Sequence, residues 1–370
     1  MAASTHIRRV GAPLRGLAIG WRTQSWPAHS RLFVAGDGNR WAIADDAAEI
    51  ARLARSLGIR VGPERWIARV RNQSVFHTSQ FTLIGLPFER NGNRLGVAYL
   101  HGRPGTPGHP EFDTCYEAVR SRHEELDRVQ VSNRAMEELV LGTGIAPAKV
   151  FRIPIGVETM RFRPRDDEAR AEARRALDLP RAAFVVGSFQ KDGVGWGEGR
   201  EPKLIKGPDV LLDTAERIAR QVPELLVLLT GPARGYVAAG LDRLRIHYRH
   251  LLLPDLDAVA QAYRAVDVCL VTSRDEGGPK AVLESMATGV PLVTTRVGQA
   301  ADLVRTGENG WVCEVGDAEG LAEAAVRVAG ASPVELAPVL DAARETAEAC
   351  SWDALRPRWA ALFRGFVENS

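Results

Sequence analysis

The apolar positions of this chain fall into short, unbroken runs separated by amphipathic stretches, the alternation expected of strands buried on both faces between covering helices. The clearest case is 266–295, VDVCLVTSRDEGGPKAVLESMATGVPLVTT. The run 266–272 is short and β-branched and reads as a strand; 273–278 is polar and glycine-rich and reads as a turn. Pro279 suits the first helical position, where its fixed φ helps and its missing N–H costs nothing. Val282, Leu283, Met286 and Ala287 then form one helical stripe, Gly289 and Pro291 end it, and 292–295 returns as a strand.

The same grammar runs elsewhere. Before the central unit it predicts strands at 32–35, 74–83, 96–100 and 128–131, with helices at 43–57, 112–126 and 135–141. After residue 183 it predicts strands at 184–188 and 225–230. Helices follow Gly207-Pro208, Asp255 and Asp317, the last over 318–329. Residues 351–366 form an amphipathic stretch with Trp352, Leu355, Trp359 and Phe363 on its apolar side. Strands alternating with helices imply parallel sheets. The 370 residues suit two domains. The boundaries read as an irregular lead-in over 1–30, a first domain over 31–152, a second over 153–350 and a terminal helix over 351–370. The hinge is IPIGVETMRFRP at 153–164, rich in Pro and Gly.

Composition narrows the class. Apolar content of 45% and charged content of 25% are those of a soluble globular chain. The four cysteines, Cys115, Cys269, Cys313 and Cys350, are scattered, without metal-like spacing, and suit a reducing compartment. No run reaches the length of a membrane span, and the arginines near the start lack an apolar stretch behind them, so the cytoplasm is expected. Net charge is only +2, but residues 1–150 carry 20 Lys and Arg against 14 Asp and Glu, and the remainder 28 against 32. A solvated surface accounts best for that excess; the alternative is a peripheral contact with the inner membrane face, or an anionic acceptor. Nothing indicates nucleic-acid binding.

Candidate chemistry gathers at the carboxyl ends of the predicted strands, where open α/β sheets bind ligands. Glu276 lies in the glycine turn and Glu284 on the following helix. The N–H groups of Gly277, Gly278, Lys280 and Ala281 at the helix start, after Pro279, suit an anion such as phosphate. A carboxylate on the helix flank suits a vicinal diol. Taken alone, both acids also fit solvated helix-start positions. Lys206 precedes a helix N-terminus, and Lys191, Lys203 and Arg200 stand in a glycine-rich loop before it, with Trp196 among them. Arg234 follows the strand at 225–230, again at a carboxyl end, and is placed to approach a phosphate or a base. His101 follows a strand and opens a glycine loop, whereas His77 lies within one and reads as packing. Gly36 and Gly38 form a short turn after the first strand, although GDGN is not a dinucleotide fingerprint.

The E-x7-E spacing in SRDEGGPKAVLESMATGVPLV resembles the signature of retaining glycosyltransferases of family 4, with the GT-B fold. Residues 129–164, 184–217, 225–232 and the stretch VGQAADLVRTGENGWVCEVGDAEGLAEAA extend that resemblance through most of the chain after residue 129. It implies an α/β GT-B architecture, two Rossmann-like parallel-sheet domains facing each other across a cleft. It further implies transfer of a sugar, with retention, from a nucleoside diphosphate donor to a glycan, lipid or small-molecule acceptor, with no metal and no cofactor. In that scheme Glu276 holds donor-sugar hydroxyls and Glu284 the ribose. Lys206 and Lys191, with Lys203 behind them, neutralise the diphosphate, and His101 faces the sugar from the first domain. Gly36 and Gly38 lie near donor phosphate or acceptor. One departure stands out: the family arginine after the strand glycine is replaced by Ser188, followed by a glycine-rich insertion. That substitution keeps a non-catalytic binding subunit in view, beside another GT-B activity such as a nucleotide-sugar epimerase or a sugar phosphorylase.

Overall fold

The computed structural model describes residues 26–36, 42–85 and 91–368. Two six-stranded, wholly parallel sheets form its frame. The first contains β1 (Arg31–Ala35), β2 (Arg60–Val61), β3 (Ser74–His77), β4 (Arg94–Ala98), β5 (Arg128–Val131) and β6 (Val150–Arg152), ordered β2-β1-β3-β4-β5-β6. The second contains β7 (Phe184–Ser188), β8 (Leu225–Thr230), β9 (His247–Leu251), β10 (Val268–Val271), β11 (Leu292–Thr295) and β12 (Trp311–Cys313), ordered β12-β11-β10-β7-β8-β9. Each order reverses once, β1/β3 in the first sheet and β7/β10 in the second, which opens a crevice at the strands' carboxyl ends.

Burial explains which strands the hydrophobic pattern reveals. All four residues of β10 and of β11 are buried, as a strand covered on both faces requires. The edge strand β9, HYRHL, is largely exposed and carries no apolar run. The strand expected over 74–83 stops at His77. Thr78 N–H makes the last rung of the β1–β3 ladder to the Ala35 carbonyl, its Oγ1 donates to the same oxygen, and Thr82 Oγ1 donates to the Ser79 carbonyl at the start of the short helix Thr82–Gly85. Pro279 is the N-cap rather than the first residue of its helix, which runs Lys280–Thr288. A helix the hydrophobic pattern did not reveal, Pro333–Ala349, opens on a capping box between Ser332 and Glu335, with Pro338 in its early turns.

The chain crosses from the first lobe to the second after β6 and returns at its end. Val157 N–H donates to the Cys350 carbonyl and Trp352 N–H to the Val157 carbonyl, which straps the return to the hinge. The helix Arg356–Phe363 then packs on the first sheet, where Trp359, Phe363 and Phe366 share a core with Leu32, Val34 and Phe76. Burying these large aromatic faces supplies much of that lobe's apolar contact.

Candidate active site

The loop after β10 is the joint between the lobes. The Gly277 carbonyl accepts three hydrogen bonds, from Ser132 Oγ at 2.6 Å, Asn133 Nδ2 at 2.9 Å and Gln299 N–H at 3.0 Å. Ser132 and Asn133 directly follow β5, so two of the three cross the cleft. A Cβ on Gly277 would stand 2.1 Å from the Leu100 carbonyl oxygen, and one on Gly278 2.7 Å from the Gln299 side chain. Glycine is required at 277 because the first lobe's backbone is already in contact. Gln299 also receives Ile155 N–H at 2.9 Å, and Asp302 receives Arg134 N–H at 2.8 Å.

Glu276 projects from that loop beside Lys206, with which it forms an ion pair, and it accepts from Ser273 Oγ at 3.1 Å. Burial by itself would raise this carboxyl, but the Lys206 ammonium and its hydrogen bond, with His101 and Ser273 behind them, hold it below the ordinary value. Lys206 is pinned from two sides. Gln190 Nε2 donates to its carbonyl at 2.8 Å, and Gly207 after it turns through φ +64°, where a Cβ would stand 1.9 Å from the Thr272 carbonyl oxygen. His101 comes from the first lobe and rests edge-on against Phe81 and Phe112. Burial, and next the Lys206 charge, pull its imidazole down to about 4 against the opposing pull of Glu276. It is therefore neutral near pH 7, and its buried Nδ1 has no hydrogen-bond partner among the described residues.

That shift has a consequence for stability. An unfolded imidazole takes up its proton near 6.5, the folded His101 only near 4, so protonation in that window favours the unfolded chain. Stability is expected to fall as pH drops from about 6.5 to 4, with His77, also lowered to about 4 by burial, adding to the slope. Urea midpoints measured between pH 4 and 7 should fall less steeply for His101→Phe than for the wild type; parallel curves would contradict the assignment.

Glu284 lines a different crevice. It accepts from Tyr263 Oη at 2.9 Å, and Tyr263 stacks on Phe189 with ring centroids 3.9 Å apart. Lys280, one turn earlier, pairs with Asp46 of the first lobe at 2.8 Å. Asp45, Glu49, Glu158, Phe162 and Trp352 complete that interlobe crevice. Burial raises the Glu284 carboxyl, with Lys280 and the Tyr263 hydroxyl pulling the other way. Both glutamates thus stand beside first-lobe residues, Glu276 with Arg103 and Asn133 and Glu284 with Asp45 and Asp46.

The remaining basic candidates separate. Lys191 and Lys203 gather about Lys206; burial lowers both, and the Lys206 charge lowers them further. Arg234 does not face the crevice. Its side chain is fully buried, folded beneath Ser188, because the β8 turn aims it under the sheet's edge rather than across it. Gly36 offers no open cradle either, since its N–H donates to Glu64 Oε1 at 2.8 Å. Gly38 lies outside the described residues. Sequence reasoning passed over Ser132, Gln299, Asp46 and Tyr263; only Asn133, an N-cap residue before a helical run, carried a local signal. Among the described residues no cluster of three or more His, Cys, Asp or Glu side chains is arranged for a metal.

Comparison with known proteins bears on this geometry. Residues 199–330 match the family described as glycosyl transferases group 1. A D-inositol 3-phosphate glycosyltransferase of Catenulispora acidiphila is 29% identical over 302 residues, which cover 77% of this chain and 68% of that protein. A D-inositol 3-phosphate glycosyltransferase of Thermomonospora curvata is 31% identical over 281 residues, covering 69% of this chain and 62% of its own length. The second lobe of this chain is similar to the group 1 glycosyltransferases. The chain's GT-B fold is shown by superposition on Anabaena HepE in complex with UDP-glucose, with a TM-score of 0.72 over 91% of this chain and 100% of that one, at 17% identity. Lys203, Lys206, Glu276 and Glu284 all lie within the matched region. The chain's helices include none long and apolar enough to cross a membrane among the described residues.

Proposed function

We propose that this protein is a retaining, metal-independent glycosyltransferase of family 4, working in the cytoplasm on a nucleoside diphosphate sugar. The observation that carries the proposal is the meeting of Glu276, Lys206 and neutral His101 across the lobe joint. Lys206, with Lys203 and Lys191 behind it, is suited to the charge that develops on a departing diphosphate. Glu276 is suited to hold sugar hydroxyls, and the unpartnered His101 nitrogen to meet a hydroxyl from the other side. Retention follows, in this reading, from attack on the face the leaving group departs, within a closed cleft.

HepE is seen with UDP and with UDP-glucose, which makes UDP-sugars the first donors to test. The curated relatives carry D-inositol 3-phosphate in their names, which puts phosphorylated polyols first among acceptors. Incubation with UDP- and GDP-sugars should release the nucleoside diphosphate and label an acceptor. Appearance of an epimer or of a sugar phosphate instead would move the protein to another GT-B activity.

Glu284 is assigned to the donor ribose. A charge-assisted hydrogen bond contributes about 1.5–3 kcal/mol, so Glu284→Gln should weaken UDP binding roughly ten- to hundredfold. Calorimetric titration checks this, and an unchanged Kd would remove Glu284 from the donor site.

A further inference from the structure

The glycine-rich insertion after β7 is a short hairpin. Gly193 bridges Pro202 in antiparallel register, Val194 N–H donates to the Glu201 carbonyl at 2.9 Å, and Lys203 N–H donates to the Asp192 carbonyl at 2.8 Å. Its far end is tied to the helix Gly235–Leu244: Gly235 N–H donates to the Glu198 carbonyl at 2.7 Å and Tyr236 N–H to the Gly199 carbonyl at 2.9 Å. Gly193 and Gly199 press on Ala233, whose carbonyl oxygen would stand 2.3 Å from a Cβ at either position.

Under this hairpin lies Arg234. Its guanidinium donates to the Ser188 and Thr230 carbonyls at 2.8 and 3.0 Å and to Ser188 Oγ at 2.9 Å. Its Nε stands 3.0 Å from Asp192 Oδ1, and both side chains are 0% exposed. Burying two opposite charges is costly and makes weak evidence of a purely stabilising role. Position suggests a different one. Asp192 is flanked by Lys191, and its carbonyl holds Lys203, so the pair fixes both feet of the hairpin. Lys191 Nζ donates to the Gly193 carbonyl at 3.2 Å and lies 4.9 Å from the Trp196 ring centroid.

We infer that the buried Arg234–Asp192 pair is a positioning device, which locks the hairpin so that Lys191 and Lys203 converge on Lys206. These two lysines take over the positive charge that an arginine at position 188 would bring to a donor diphosphate. The inference rests on the donor reading above. It makes Arg234 necessary for recognition of a second phosphate without any contact to it.

Three proteins test it: the wild type, Arg234→Lys, and the paired variant Arg234→Met with Asp192→Asn, which leaves neither charge buried alone. Amide hydrogen exchange at Val194 and Lys203 reports on the hairpin, and the ratio of UMP to UDP dissociation constants reports on the second phosphate. In the paired variant, exchange within β7, β8 and β10 should stay as in the wild type while the hairpin amides exchange at least tenfold faster. The UMP-to-UDP ratio should narrow about tenfold, with Arg234→Lys in between. Faster exchange with an unaltered ratio would overturn the positioning role and leave the donor reading standing. Unaltered exchange would overturn the role of the pair itself. A wild type that binds UDP no better than UMP would sink the donor reading, and the positioning role with it.

Discussion

Replacing Lys206 by alanine is expected to lower turnover by about 10²–10³-fold, the usual loss when a group stabilising developing charge is removed. The donor KM should rise by much less, because Lys191 and Lys203 remain to meet the diphosphate in the ground state. The asymmetry follows from how Lys206 is held. Its backbone is fixed by Gln190 and by the left-handed turn at Gly207, while its ammonium lies against Glu276. Neither neighbouring lysine has that fixed relation to the acid. Removing the ammonium also leaves Glu276 buried beside His101 without its main counter-charge, so its carboxyl should rise from its present low position. The same variant should therefore shift the acidic limb of the pH–rate profile upward. Unchanged turnover would take Lys206 out of the mechanism.

The second large effect is expected at Gly277→Ala. The added Cβ would meet a backbone oxygen, that of Leu100, at 2.1 Å, and backbone cannot swing aside as a flexible side chain can. Overpacking of this kind costs about 1–3 kcal/mol. Because Leu100 belongs to the opposite lobe, the cost falls on lobe closure rather than on either lobe's own core. Closed-state population should drop roughly 5- to 150-fold, since each 1.4 kcal/mol is a factor of ten. Turnover and KM should both deteriorate, as when a gating step is impaired. Small-angle scattering should show a larger radius of gyration, while calorimetric unfolding stays near that of the wild type. Wild-type kinetics with the alanine in place would show that the Gly277 contact is not part of the working cycle.

How much of this was legible in the residue string depends on burial. The central strands announced themselves because both faces are covered, and β10 with its helix could be placed to within a residue or two. Of the four edge strands, β2, β6 and β9 could not, since half-exposed residues carry no apolar run, and β12 could not because it is only three residues long. At the site, Glu276 and His101 were readable because each follows a strand beside glycines, and Lys206 because it stands just before the Gly207-Pro208 helix start. What failed was direction. Arg234 has the right type and place in the sequence, but its side chain turns under the sheet to the Ser188 and Thr230 carbonyls and pairs with Asp192, 42 residues earlier, which no local pattern links to it. Gly277 and Gly278 read as a cradle for an anion, but Gly277 is constrained first by the other lobe's backbone and Gly278 by the Gln299 side chain. Contacts between lobes depend on pairs such as Lys280 with Asp46, far apart along the chain, and spacing rules do not reach them.

The central claim is that a nucleoside diphosphate sugar is broken at the joint where Glu276, Lys206 and His101 meet. Release of nucleoside diphosphate from a panel of UDP- and GDP-sugars, measured for the wild type and for Glu276→Gln, tests it most directly. The account predicts release by the wild type from at least one donor, and a loss of 100-fold or so in the variant, on the order of what one lost transition-state contact costs. Equal release by both proteins, or none from any donor by the wild type, would contradict it.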